Sequence, residues 1–208
     1  FLPISSSGHL VLVPSLLGWP DQGLAFDVAV HVGTLLAVVI YLRRDIVAIL
    51  QGLVDELAGR GRSKQSRLGG LILLATLPAV VIGALINEVL EASLRQPLLI
   101  AAATMGFALV LLLADKRGSK HRRMDDLGWL DALIIGMAQA LALVPGTSRA
   151  GITITAALVL GLERRSAARF SFLLAIPLIL AAGSLKGFEL AAATDVVDWD
   201  VFVLGILV

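Results

Sequence analysis

The sequence predicts an all-α polytopic membrane protein, an inverted-topology repeat in which two re-entrant helical hairpins meet near the midplane. Three observations carry this. The chain has 208 residues, 58% hydrophobic and 16% charged, with a mean hydropathy of +0.91. Soluble domains hold roughly 45–50% apolar and about 25% charged residues. Its cations gather in the loops on one side of the predicted spans. And two apolar stretches, at the start of the chain and around residue 145, are interrupted by proline, glycine and hydroxyl residues.

Residues 1–19 are apolar but contain Pro3, Ser5, Ser6, Ser7, Gly8, His9, Pro14 and Gly18. A span needs about 20 predominantly apolar residues, so this stretch is expected to be re-entrant. Such backbone is tolerated at membrane depth where protein buries it or it lines a wet cavity. Residues 25–42 read as a transmembrane helix stopped by Arg43 and Arg44. Residues 46–57 are amphipathic and 59–67 form a basic loop. Residues 68–86 are a second span, with Pro78 expected to kink it. Residues 97–114 are a third, opened by Pro97, a good first-turn residue. A charged loop follows at 115–126. Residues 128–144 are apolar, break at Pro145-Gly146 and resume at 152–162, too short to cross, which reads as a second re-entrant hairpin. Residues 170–185 are a further span containing Pro177, and a last apolar run begins at Val201. The chain opens mid-motif without an initiator Met and stops inside that run, so it is expected to be part of a longer protein. The whole of 1–208 reads as one transmembrane domain, with repeat halves near 1–90 and 128–208.

Charge sets the orientation. Residues 43–67 hold six Lys/Arg, 116–123 hold five and 164–169 hold three, whereas 87–96 and 186–200 hold one each. Fourteen of sixteen loop cations therefore fall on one side, assigned as cytoplasmic. The span after the first break then runs inward and the span after the second runs outward. Inverted halves of this kind place broken helices face to face near the midplane. The absence of cysteine excludes disulfides and thiolate metal sites, and a net charge of +1 gives no reason to expect a nucleic-acid partner.

Arg149 is the one Lys or Arg inside an apolar stretch rather than a loop. A charge there costs roughly 2.5–3.5 kcal/mol on insertion scales, so a function is expected: a guanidinium is a planar fork of donors matched to phosphate. The bland alternatives are an ion pair with Asp27 or Asp131, or a snorkelling side chain at a hairpin mouth. Gly146, Thr147, Ser148 and Gly151 flank it. Aligning Pro3 with Pro145 places Ser5 on Thr147 and Ser6 on Ser148, so the two breaks read as partners in one phosphate-handling site. Ser5, Ser6, Ser7 and Gly8 form a loop opening onto a helix, whose first N–H groups make an anion site. A hydroxyl there can attack phosphorus if a base takes its proton, and His9 is the nearest base. Alternatively, these small residues let helices pack closely. Asp27 is a candidate partner for His9, His31 or Arg149, and His31 fits an interhelical hydrogen bond better than a catalytic contact. Gln139 is expected to make a polar contact inside the bundle, and His121 to be solvated.

The stretch FLPISSSGHL at 1–10 resembles the first signature of the undecaprenyl-diphosphatase family, the bacitracin-resistance type of membrane phosphatase. ALALVPGTSRAGITI, 140–154, resembles its second, with Ala150 where Ser is more usual. RFSFLLAIP at 169–177 and FDVAVHVGTLLA at 26–37 look like further family stretches. The resemblance runs from Phe1 to about Gly187. It implies hydrolysis of undecaprenyl diphosphate to the monophosphate and inorganic phosphate, recycling the lipid carrier for peptidoglycan synthesis and conferring bacitracin resistance. It implies Ser6 as nucleophile, His9 as its acid/base partner, and Arg149 as diphosphate ligand, with Ser148, Thr153 and Gly146 beside it. A divalent cation, Mg2+ or Ca2+, is implied as cofactor. The family places its associated glutamates just upstream of FLP, so metal ligands cannot be named in this chain. The implied setting is the bacterial plasma membrane, with the site opening to the outer face. The expected partners are the polyprenyl diphosphate, membrane lipid and a second copy of the chain.

Other classes of membrane protein fit some of the same residues. A phosphatidic-acid-phosphatase type expects a histidine shortly after the arginine. Thr155 holds that position and no histidine follows His121. An inverted repeat with broken helices also suits a membrane transporter or a lipid-carrier flippase. A purely structural bundle leaves Arg149 and the serine run unexplained.

Overall fold

The computed structural model describes residues 6–19, 23–93, 96–192 and 203–206. Among these, eight α-helices account for nearly all of the regular structure: α1 (Ser6–Leu17), α2 (Gly23–Tyr41), α3 (Arg43–Leu57), α4 (Lys64–Ser93), α5 (Pro97–Arg117), α6 (Trp129–Ala140), α7 (Arg149–Val159) and α8 (Arg164–Ala192). The expected all-helical class is thus observed, as backbone in lipid must satisfy its polar groups within each segment. Three helices among the described residues are long and apolar enough to cross a bilayer: Lys64–Leu85, Pro97–Arg117 and Arg164–Ser184.

The helices start earlier than the apolar runs. α4 begins at Lys64 and α8 at Arg164, inside the expected basic loops. Lysine, arginine, serine and glutamine accept helical backbone, and long cationic side chains reach water from a helix end. α7 likewise begins at Arg149, three residues before the expected start. Pro78 and Pro177 are carried within α4 and α8, with no break in either helix.

α4 is the central element, packed against α3, α6 and α8, while α5 lies against α1 and α7, and α2 against α8. Leu71, Ala75, Ala132, Ile135, Leu158, Phe170 and Leu174 lie in one buried cluster. Lipid tails are as apolar as leucine, so close packing, rather than removal of apolar area from water, holds such helices together. The α4–α6 seam shows this: a Cβ on Gly136 would lie 2.5 Å from the Ala75 carbonyl oxygen. Only glycine lets those backbones approach so closely.

Polar contacts gather the charged helix ends at one end of the bundle. Arg67 donates to the Leu127 carbonyl at 2.6 Å, Arg164 pairs with Asp115 at 2.6 and 2.7 Å, and Arg169 pairs with Asp45. The α2–α3 junction, the starts of α4, α6 and α8, and the ends of α5 and α7 therefore share that end. α6 and α7 form a helical hairpin whose two outer termini meet there on Arg122. Its guanidinium donates to Asp131 in the first turn of α6 and to the Leu160 carbonyl just past α7. A backbone bridge reinforces the junction: Arg122 N–H donates to Gly161 O at 3.0 Å and Glu163 N–H donates to Arg122 O at 2.9 Å.

Candidate functional site

The far end of that hairpin is the break at Pro145. α6 tightens after Ala140 into a 3-10 turn, Leu141–Leu143, and the Val144 N–H donates to Leu141 O at 3.1 Å. Pro145 has no N–H and cannot extend the helix. Gly146 takes φ +91°, a left-handed conformation that L side chains rarely adopt. The Thr147 N–H returns to Val144 O at 3.1 Å, and Ser148 then caps α7: its Oγ accepts from the Gly151 N–H at 3.1 Å. The loop is seated on α5. Thr104 Oγ1 donates to Gly146 O at 2.9 Å, and a Cβ on Gly146 would lie 2.5 Å from Ile100 O.

This seat presents Arg149 as the first residue of α7, half-buried. Among the described residues its guanidinium has no hydrogen bond and no ion pair. The expected alternative partner Asp131 is held by Arg122 instead, at 2.6 Å. The helix dipole adds partial positive charge at the same place, and the first N–H groups of a helix lack intrahelical acceptors. Positive charge thus converges with nothing from the described side chains to neutralise it, which is the electrostatics of an anion site. With 11 residues in α7 and about 1.5 Å of rise each, Arg149 stands roughly 16 Å along the helix from the cationic end.

The other expected residues fall out as follows. Ser148 Oγ accepts the cap bond, which leaves its O–H able to donate. Thr153 is buried; its Oγ1 lies 2.9 Å from Arg149 O and 2.5 Å from Ser171 Oγ on α8. These contacts tie the first turn of α7 to α8. Gly146 shapes the loop. Ser6, Ser7 and Gly8 are already in the first turn of α1 rather than in a loop before it. The side chains of Ser6, Ser7 and Asp27, and all of Ser5, lie outside the described residues. His9 is exposed on α1 and His31 half-buried on α2. α1 packs against α5, the helix that also seats Gly146. His121 is exposed, as expected.

Gln139 departs from expectation. It is buried, yet among the described residues neither end of its amide has a hydrogen-bond partner, and the same holds for the buried Thr147 hydroxyl. The sequence reading also passed over Thr104 and Ser171. Each is a hydroxyl inside an apolar helix, which is the signal that marks them. Among the described residues no group of three or more His, Asp or Glu could hold a metal ion.

The fold and this site together define a polytopic helical membrane protein with a half-buried guanidinium, unpaired among the described residues, at the start of a short helix. The whole chain, residues 1–208, matches the family model described as bacitracin resistance protein BacA, and the chain belongs to that family. It is 58% identical over 207 residues to the undecaprenyl-diphosphatase of Chromohalobacter salexigens, covering all of this chain and 78% of the relative. It is 53% identical over 208 residues to that of Nitrosococcus oceani, with the same coverage. With that of Hahella chejuensis it shares 55% identity over 199 residues, 96% of this chain and 74% of the relative.

Proposed function

We propose that this chain hydrolyses undecaprenyl diphosphate to undecaprenyl phosphate and inorganic phosphate, the activity in its relatives' names. The single observation that carries the assignment to residues is the Arg149 guanidinium at the N-terminus of α7, unpaired among the described residues. Phosphoryl transfer is mostly a matter of positioning and charge neutralisation. Arg149 and the first N–H groups of α7 bind the diphosphate and absorb the charge that builds on the transferring phosphoryl group. Ser6 attacks the terminal phosphorus, His9 takes its proton, and the P–O bond to the leaving lipid monophosphate breaks. Water then releases phosphate, with His9 acting in reverse. The divalent cation implied by the family would add charge neutralisation at the same phosphate. The polyprenyl tail stays in lipid, which is why the site is built inside a membrane protein.

The α6–α7 hairpin is proposed to be re-entrant, entering from the cationic side and returning to it. Its two termini on Arg122 support this. Its loop rests on Ile100, in the first turn of α5 and far from the cationic end. With that end cytoplasmic, the loop lies toward the outer face of the plasma membrane, where the site is proposed to open. α2 runs toward the cationic end, α8 runs away from it, and the two pack together. That supports an inverted repeat within one domain, its halves near 1–90 and 128–208.

The test is phosphate release from a polyprenyl diphosphate by purified protein in nanodiscs. Arg149→Ala and Ser6→Ala should each abolish turnover without lowering the thermal midpoint. Wild-type hydrolysis by Arg149→Ala would overturn the site.

A further inference from the structure

Helix α3 is neither a span nor part of the site, yet it exposes an apolar face. Val47, Leu50, Val54 and Leu57 are 51%, 56%, 61% and 88% exposed. Their spacing of three, four and three residues places them on one side of the helix. The helix's core face is separate: Ile49 and Gly52 are buried against α4, where a Cβ on Gly69 would meet Ile49 and Leu53 at 2.9 Å. The exposed stripe is thus unused by the bundle.

Cations bracket that stripe. Arg43 and Arg44 are exposed at its start, and Arg60, Arg62 and Lys64 follow its end with 72%, 65% and 82% of their side chains exposed. Residues 43–67 carry six Lys/Arg against the three carboxylates of Asp45, Asp55 and Glu56. Their ion pairs with Asp55, Glu56 and Asp125 are solvent-exposed, and pairs of that kind are readily exchanged for other anions. At 15 residues with six charged or amide side chains, α3 cannot cross a bilayer. It cannot leave the surface either. Only Leu42 separates it from α2, and six residues separate it from α4, which is a candidate span.

We propose that α3 is an interfacial helix that binds anionic phospholipid at the cytoplasmic surface. Val47, Leu50, Val54 and Leu57 insert at the boundary between headgroups and acyl chains, and the flanking arginines and Lys64 hold lipid phosphates. A continuous apolar face beside a polar one, with cations around it, is the physical signature of helices that lie in this plane.

The chain has no cysteine, so single-cysteine variants can be spin-labelled without altering anything else. Val54→Cys tests the stripe, and Gln51→Cys, on the flank shared by Arg44 and Asp55, is the reference. The full chain goes into nanodiscs of phosphatidylcholine, alone or mixed with phosphatidylglycerol. The ratio of oxygen to nickel-chelate accessibility should be severalfold higher at residue 54 than at residue 51, and should rise further with phosphatidylglycerol. The joint variant R60Q/R62Q/K64Q should lose that rise and keep the difference between the two sites. Equal accessibility at residues 51 and 54 would overturn the proposal. So would a stripe that ignores phosphatidylglycerol, or dipolar broadening between Val54→Cys labels, which would identify a second copy of the chain as its occupant.

Discussion

Arg122 closes on Asp131 through two hydrogen bonds, at 2.6 and 3.1 Å, while the same guanidinium holds the Leu160 carbonyl at 2.9 Å. One loop side chain thereby fastens both ends of the hairpin that carries Arg149. Hydrogen bonds to charged groups contribute about 1.5–3 kcal/mol each. Arg122→Met should lower stability by about 2–4 kcal/mol, since it also strands a half-buried carboxylate. Thermal unfolding in detergent measures this, and an unchanged midpoint would show that the clamp is decorative.

The same pair has an acid limb. The hydrogen bond from Arg122 holds the Asp131 carboxyl below the usual carboxylate range; burial pushes the other way and the Gly128 N–H adds to the lowering. A carboxyl lower in the folded than in the unfolded state stabilises fully above its unfolded value, and that stabilisation is lost as pH falls through the folded one. Asp131→Asn should therefore flatten the loss of thermal stability below about pH 4. The comparison with wild type at pH 3 to 6, read as midpoint against pH, decides it.

Arg149→Lys keeps a charge but loses the planar fork that, under the proposed function, grips two phosphate oxygens. Turnover should fall by about two orders of magnitude or more, the usual effect of removing one charge-stabilising donor from a transition state. Arg149→Met should abolish turnover while raising the thermal midpoint, because it removes a charge with no partner among the described residues. A midpoint that falls instead would reveal an internal partner for the guanidinium.

Thr104 and Gly146 set where that guanidinium sits. Thr104→Val keeps the shape and loses the bond to Gly146 O, and it should reduce kcat/KM severalfold while Thr104→Ser restores it. Gly146→Ala places a Cβ against the Ile100 carbonyl in a left-handed conformation, with about 1–3 kcal/mol of backbone strain alone. Its midpoint should drop, and no loss of stability would mean that the loop is not seated on α5.

Gln139→Leu removes a buried amide with no partner among the described residues. An unsatisfied buried polar group costs about 1–3 kcal/mol, so this variant should be more stable than wild type. A less stable Gln139→Leu would mean that the amide is occupied in the folded protein.

Much of this arrangement was legible from residue types alone. The candidate spans follow from apolar length, the gathering of charged helix ends at one end of the bundle from the loop cations, and the turn between α6 and α7 from Pro145 and Gly146. Arg149 stood out because a lone cation in an apolar stretch needs a reason. Arg122 did not, since it lies among four other cations between 116 and 123. Its partners come from α6 and from beyond α7, and nothing local marks them. The pairs of Arg164 with Asp115 and Arg169 with Asp45 join residues 49 and 124 positions apart, which only the packed bundle brings together. Ser148 and Thr153 illustrate a different limit: neither the cap bond of one nor the contact of the other with Ser171 leaves a mark on a hydroxyl in sequence.

Because α7 is fastened at its cationic end, it works as a depth gauge. The 11 residues from Arg149 to Val159 set how far the guanidinium stands from that end, whatever the loops around it do. Each residue added to or removed from α7 would shift Arg149 by about 1.5 Å along the helix and turn it by about 100°. The chain thus encodes a distance in the length of one short helix, and under the proposed function that distance is the depth at which a diphosphate is gripped.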